Sequence, residues 1–168
     1  MQFIFETKRL RVRKLLMNDF GPFHKMHSNI NVMQYVRGRA MTYEENEKEL
    51  QMLIGKYKDP KNDFWIYAVE RKEDMNFVGT VALVKDDHND DEIGYRFLEK
   101  YWKNGYGFEI AKGLVDHCRK IGLPKIIANV VKKNEASTKI IKKLGFNFIR
   151  DFVSNDLKLP ERKFILEL

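Results

Sequence analysis

The sequence predicts an α/β (α+β) layer fold, a mixed and mostly antiparallel sheet of about seven strands flanked by about four helices. Three observations lead there. Short runs of apolar residues alternate with period two, stripes at helical spacing stand before and after them, and one strand-helix-strand crossover lies near residue 113 among otherwise short polar connections. A crossover makes two neighbouring strands parallel, and ligands tend to enter beyond the strand ends at such a place.

In chain order, Leu10, Val12 and Leu15 place a first strand near residues 8–15. Asn18-Asp19 offers caps for a short helix through Phe23 and Met26, followed by an irregular stretch to Ala40. Thr42-Tyr43-Glu44-Glu45 has the capping-box pattern, and Leu50, Leu53, Ile54 and Tyr57 recur at helical spacing, so a second helix is expected over 43–57. Asp59-Pro60 stops it.

Phe64–Glu70, Phe77–Val84 and Glu92–Leu98 read as three successive strands separated by polar turns. After Gly105 the period becomes helical: Ile110, Ala111, Leu114, Val115, Cys118 and Ile121 form a stripe closed by Gly122. Lys125–Val131 is an apolar strand. Asn134 caps a helix carrying Ala136, Ile140, Ile141 and Leu144, Gly145 closes it, and Phe146–Val153 and Arg162–Leu168 supply the last strands.

Composition narrows the function classes. At 168 residues, with no repeat, low-complexity tract or linker, the chain is expected to form a single domain over 1–168. A composition of 43% hydrophobic and 33% charged residues is too apolar for a disordered chain. The formal charge of +7 suits a polyanionic ligand without choosing among nucleic acid, membrane and a phosphate-bearing cofactor. Alternation in Lys8–Lys14 reads as a half-buried strand with a solvated basic face. Cys118, the lone cysteine, sits in a helical apolar pattern as a core residue; with no run of eighteen apolar residues and no signal-peptide layout, a reducing cytoplasm is expected and a membrane association is not. The four histidines are dispersed, and His24 with His27 lacks a third ligand, so no metal is expected.

The most informative run is Trp102-Lys103-Asn104-Gly105-Tyr106-Gly107-Phe108-Glu109, which follows an expected strand and opens an expected helix. Free backbone N–H groups and the positive helix end make an anion site at such a junction, and the glycines permit close approach of a phosphate. Ile110 stands where a dinucleotide fingerprint needs its third glycine, and no Gly-Lys-Ser/Thr follows, so neither nucleotide motif is present.

Glu92-Ile93-Gly94-Tyr95-Arg96-Phe97 followed by Tyr101–Glu109 resembles the signature of GNAT acetyltransferases, in particular the ribosomal-protein N-terminal acetyltransferase (RimJ/RimL-like) group. The resemblance spans nearly the whole chain, from Glu6–Arg13 through Asn134-Glu135-Ala136-Ser137 to Lys143-Leu144-Gly145-Phe146. It implies an acetyl-CoA-dependent N-acetyltransferase in which the fourth and fifth expected strands, near 91–98 and 125–131, splay apart and the pantetheine arm of acetyl-CoA (coenzyme A) lies between them. Backbone groups of Arg96, Phe97 and Leu98 then hold that arm. Lys103, Asn104, Gly105, Tyr106, Gly107 and Phe108 form the pyrophosphate cradle, and Asn134 lies beside the cofactor as well as capping its helix.

Acetyl transfer needs a neutral amine, a polarised thioester carbonyl and a proton for the departing thiolate. A backbone N–H near Phe97 is the candidate oxyanion donor. Glu92 is the candidate base, the alternative being a solvated or ion-paired carboxylate sharing a strand face with Gly94 and Arg96. The tyrosine that many relatives carry seven residues after the asparagine is Ile141 here, and Ser137 matches a serine near the cofactor sulfur, as proton donor or as support for the helix's first turn. By the same resemblance, residues 28–41, with Tyr35, Arg37 and Arg39, and Ser154–Glu161 stand where the family builds its acceptor site. The expected acceptor amine is a protein N-terminus such as that of a ribosomal protein, or a small molecule (polyamine, amino acid or antibiotic). A homodimer, a catalytically silent CoA binder and, less favoured, a nucleic-acid module stay open.

Overall fold

The computed structural model describes residues 2–168. β1 (Phe3–Glu6) and β2 (Leu10–Lys14) pair antiparallel across a turn in which the Thr7 N–H donates to Leu10 O at 2.9 Å. The sequence places only one strand in this region. Phe3-Ile4-Phe5 has no alternation to read, so β1 is defined by its β2 partner rather than by its own pattern.

A 3-10 turn (Met17–Asp19) and α1 (Phe20–His27) follow. The expected cap is absent, because the Asp19 carboxylate accepts from the Leu16 N–H at 2.8 Å and from Arg13 instead of from the helix start. The stretch expected to be irregular contains the short helix α2 (Ile30–Met33), where Asn29 Oδ1 accepts from the Asn31 N–H at 2.9 Å. α3 (Tyr43–Lys56) starts at the expected capping box: the Glu45 N–H donates to Thr42 Oγ1 at 3.2 Å and the Thr42 N–H to Glu45 at 2.8 Å.

β3 (Phe64–Arg71), β4 (Phe77–Lys85) and β5 (Asp91–Phe97) form an antiparallel meander. α4 (Tyr106–Lys120) crosses to β6 (Lys125–Val131), and α5 (Glu135–Lys143), β7 (Asn147–Val153) and β8 (Pro160–Glu167) complete the chain. Gly122 and Gly145, both at positive φ, stand just beyond the ends of α4 and α5 as expected. The eight strands make one sheet in the order β1-β2-β3-β4-β5-β6-β8-β7, one strand and one short helix more than expected.

All pairings are antiparallel except β5–β6, whose parallel register consists of the single pair Glu92↔Ile127. Beyond that pair the two strands separate, and the expected splay is present. The layers follow from alternation on β5: Arg96 contacts His27 of α1 on one face, while Tyr95 contacts Ser137 of α5 on the other. Leu10, Val12, Ala68 and Val78 from the strands and Phe23, Leu50, Ile110 and Leu114 from the helices are all essentially inaccessible. Cys118 belongs to this core, and burial pushes its thiol up to about 12, so it is inert as a nucleophile.

Candidate active site

The separation of β5 from β6 opens a cleft of about 1430 Å³ that passes from the α4–α5 side of the sheet to the α2 side. Glu92, Arg96, Phe97, Lys103, Gly105, Tyr106, Gly107, Phe108, Asn134 and Ser137 line it. Leu98 and Asn104 lie outside the lining. The Leu98 N–H donates to Val78 O at 2.9 Å, and Asn104 Nδ2 donates to Tyr101 O at 2.9 Å and Trp102 O at 3.0 Å, which folds the loop.

At one end the loop 102–105 delivers the chain into α4. Lys103 and Gly105 hold left-handed φ angles of 61° and 77°, a conformation that suits glycine and turns successive N–H groups toward one side. Gly105 gives α4 no side-chain cap, so the N–H groups of the first turn, from Tyr106 to Phe108, are without protein acceptors. Arg9 braces this loop from β2's start: its Nη1 donates to Asn104 O at 2.9 Å, its Nε to Glu109 at 2.6 Å, and its guanidinium lies 4.6 Å from the Tyr106 ring centre. Gly107 lets the start of α4 approach α5 closely, since a Cβ there would stand 3.0 Å from Ile140 Cδ1. A gap beside an unpaired strand edge, ending at a helix start with open N–H groups, fits a pantetheine-pyrophosphate molecule such as coenzyme A.

On the α4–α5 side, Tyr95 and Ser137 hydroxyls lie 3.2 Å apart. Asn134 Oδ1 accepts from the Ser137 N–H at 3.2 Å, so Asn134 is the helix cap and Ser137 stands in the first turn. Burial raises the Tyr95 phenol above its ordinary range, which keeps it protonated. Ile141, at the usual tyrosine position, is fully buried and apolar.

On the opposite face, register brings together side chains that are far apart in sequence. Glu92 pairs with Val84 and Ile127, Asn129 with Lys163, and Val131 with Glu161, so Glu92, Asn129, Lys163 and Glu161 share one side of the sheet. Glu92 is neither solvated nor ion-paired. Burial first, then the nearby Asp86 charge, pushes its carboxyl up to about 7, partly offset by the Asn129 amide. Burial also raises Glu161, and Asn129 Oδ1 is buried without a hydrogen-bond partner. Lys163 is committed elsewhere, to Asp90 at 2.8 Å and Asp86 at 3.1 Å. Of the acidic residues between 86 and 92, Asp86, Asp90 and Asp91 are ion-paired, Asp91 holding Lys85 at 2.8 Å, whereas Asp87 and Glu92 are not.

Farther along β5, Arg96 faces the same side. Its Nη1 donates to His27 Nε2 at 3.2 Å, and burial lowers its guanidinium to about 10. Of the residues expected on the acceptor side, Tyr35, Ser154 and Glu161 line the cleft, whereas Arg37 and Arg39 pair with Glu49 and Glu45 of α3. Tyr95 and Asn129 escape a reading of the sequence. Period two assigns each to a face, but only the pairing of β6 with β5 and β8 shows what the face meets. Among the described residues no group of three or more His, Cys, Asp or Glu side chains is placed to hold a metal ion, and no helix is long and apolar enough to cross a membrane.

Residues 9–147 match the family described as the acetyltransferase (GNAT) domain. The uncharacterized N-acetyltransferase YoaA of Bacillus subtilis (strain 168) is 29% identical over 147 residues, covering 85% of this chain and 82% of YoaA. Among solved structures, the ribosomal L7/L12 α-N-protein acetyltransferase RimL in complex with coenzyme A aligns with a TM-score of 0.82 at 15% identity, over 99% of this chain and 98% of that one. The spermidine N-acetyltransferase of Vibrio cholerae, in complex with coenzyme A and spermine, aligns with a TM-score of 0.78 at 19% identity, over 94% and 95%. The fold is thus shared by proteins named for a protein acceptor and for a polyamine.

Proposed function

The chain belongs to the GNAT acetyltransferase family and is an acetyl-CoA-dependent N-acetyltransferase, and on that premise we propose that Glu92 is its general base and that Ser137, backed by Tyr95, holds the proton for the leaving thiol. The observation that carries this is Glu92 itself: a carboxylate facing the cleft at the mouth of the splay, free of any ion pair and raised to about 7. A base poised near the working pH combines a usable deprotonated fraction with a real affinity for the proton.

The loop Lys103–Phe108 and the α4 start would hold the pyrophosphate, and the β5 edge at Arg96 and Phe97 the pantetheine arm. When bound, acetyl-CoA supplies an acetyl group activated as a thioester, exchanged to the amine with release of the thiol. Glu92 takes the proton that the amine gives up, directly or through one water, and returns it to solvent. The Phe97 N–H would serve as a donor to the thioester carbonyl oxygen. Ser137 Oγ would pass a proton to the departing sulfur while Tyr95, 3.2 Å away, passes one to Ser137 and recovers its own from solvent.

For the acceptor we favour a small primary amine over a protein N-terminus such as that of a ribosomal protein. Charges of both signs lie unpaired on the cleft floor, a pattern suited to a compact polar ligand. The test is thermal unfolding with and without acetyl-CoA, followed by release of free thiol against peptides, polyamines, amino acids and aminoglycosides. Stabilisation with amine-dependent thiol release supports the reading. No stabilisation at millimolar acetyl-CoA sinks it, and oligonucleotide binding that weakens steeply with salt would then favour a nucleic-acid module.

A further inference from the structure

The feature of the cleft that acetyl transfer does not use is the Arg96 side chain. Arg96 is half-buried in the cleft wall, and among the described residues the two fully buried cations each hold two carboxylates: Arg13 binds Asp19 and Glu70, and Lys163 binds Asp86 and Asp90. Arg96 makes no ion pair. Its one hydrogen-bond partner is His27 Nε2, and the hydrogen-bond relay behind that ring fixes it as a neutral acceptor. His27 Nδ1 faces Asn46 Oδ1 at 3.2 Å, and Asn46 Nδ2 donates to His24 Nδ1 at 2.9 Å, so each side chain has one role open to it. Glu49, the acid that acts on Arg96 through space, already bridges to Arg37 at 3.2 Å. Arg96 lines the cleft, and no carboxylate of the described residues is bonded to it.

A buried guanidinium is costly unless an anion completes its shell, and its planar fork matches a carboxylate bidentately. Nothing in the chain supplies that carboxylate, so a ligand entering the cleft is its natural source. Four residues back along β5, the same face carries Glu92, with Glu161 of β8 and the orphaned Asn129 Oδ1 of β6 beside it, and neither carboxylate forms an ion pair. Between the two ends the floor is small and apolar, with Gly94 opposite Ala82 and Ala82 opposite Ile66. The trough therefore has an ammonium-accepting end and an anion-accepting end, about 13 Å apart at the strand backbone by the ordinary rise of a strand.

We propose that the acceptor is a zwitterion, a small amino carboxylate whose amine lies at Glu92 and whose carboxylate is bound by Arg96. This rests on the acetyl-transfer reading above and narrows its substrate class. Arg96 then acts as a specificity residue for the amine, a role separate from the backbone contact with the cofactor expected of the same residue. A polyamine or a peptide N-terminus presents no carboxylate there and leaves the guanidinium unsatisfied.

The experiment measures thiol release at saturating acetyl-CoA for a series of amino acids. The series runs from glycine to 6-aminohexanoate, with the common L-α-amino acids, each beside its own carboxamide, and with short peptide amides. Wild-type protein is expected to use at least one acid about 100-fold better than its amide in kcat/KM, the difference lying mostly in KM, the scale on which a buried ion pair discriminates. Arg96→Gln should bring the acid-to-amide ratio toward one, and Arg96→Lys should restore part of it, which separates charge recognition from a folding defect. A wild-type ratio near one, a ratio unchanged in Arg96→Gln, better use of peptide amides than of any acid, or no use of any amine in the series overturns the proposal. Thermal stabilisation of the wild type by acetyl-CoA reports on the premise independently. Its absence defeats the acetyl-transfer reading, whereas stabilisation with a ratio near one defeats the zwitterion alone.

Discussion

Two arginines pack against this sheet, one buried and one half-buried, and only the buried one holds carboxylates. Arg13 on β2 holds Asp19 through two hydrogen bonds of 2.8 Å and Glu70 through a third of 2.9 Å, and all three side chains are less than a tenth exposed. These groups tie the 3-10 turn before α1 to β2 and β3, and the attraction raises the guanidinium further above its ordinary value. Arg96 on β5, with Glu92 on the same strand, is also partly withdrawn from water, yet neither forms an ion pair. The first cluster is closed and the second is open. A folded chain tolerates the open one because the splay of β5 from β6 leaves a cleft there for a ligand to complete it.

The sharpest way to break this contrast is through activity. Glu92→Gln is expected to lower kcat/KM by roughly 10²- to 10⁴-fold, the usual range for a general base. In the wild type, activity should rise with pH through about 7 as Glu92 loses its proton, and the variant should lose that limb. A variant with wild-type turnover and an unchanged pH profile removes Glu92 from the mechanism.

Next in size is a pair of stability measurements by urea unfolding. Arg13→Met leaves Asp19 and Glu70 buried without their cation and should cost about 3–5 kcal/mol. Arg96→Met removes a cation that has no carboxylate to abandon, and should cost less than about 1 kcal/mol or stabilise. Equal losses at the two sites would show that the two clusters are energetically alike, contrary to their geometry.

The third prediction reads the open cluster through pH. The Glu92 carboxyl is raised from 4.5 to about 7 on folding, so the ionised form is disfavoured in the native state. Its contribution to stability is fully present below pH 4.5 and is lost as pH rises through about 7. Glu92→Gln should therefore be more stable than wild type at pH 8, on the order of 2–3 kcal/mol, with no gain at pH 4. Unfolding midpoints at the two pH values decide it. The smallest effect is on the other face, where Ser137→Ala and Tyr95→Phe should each lower kcat by about 10-fold while leaving the acceptor KM in place. Unchanged turnover in both would reduce the pair to a packing contact beneath α5.

Much of this molecule is legible in its sequence, for identifiable reasons. The Thr42/Glu45 capping box, the Asn134 cap and the stops at Gly122 and Gly145 are local, each satisfied within a turn of its own backbone. The strands from 64 to 98 are legible because short connections leave their pairing little choice. β1 and α2 are not, since four residues carry too little pattern and their stability comes from neighbours. Asp19 misleads for a related reason: its carboxylate is drawn to Arg13 across the turn, and a buried ion pair outcompetes a helix cap.

What the sequence determined by itself is the order of elements, the crossover and the open helix start after Gly105, because spacing and turn chemistry are properties of adjacent residues; the candidacy of Glu92 and Ser137 came from the family resemblance. What only the tertiary structure decided is which side chains share the cleft: Tyr95 beside Ser137, Asn129 and Glu161 beside Glu92, and Arg96 left with His27 alone. Those juxtapositions depend on the register of β5, β6 and β8 and on the single residue pair at which the parallel strands still meet. Register and splay are set by packing across the whole sheet, and no local run of residues encodes them.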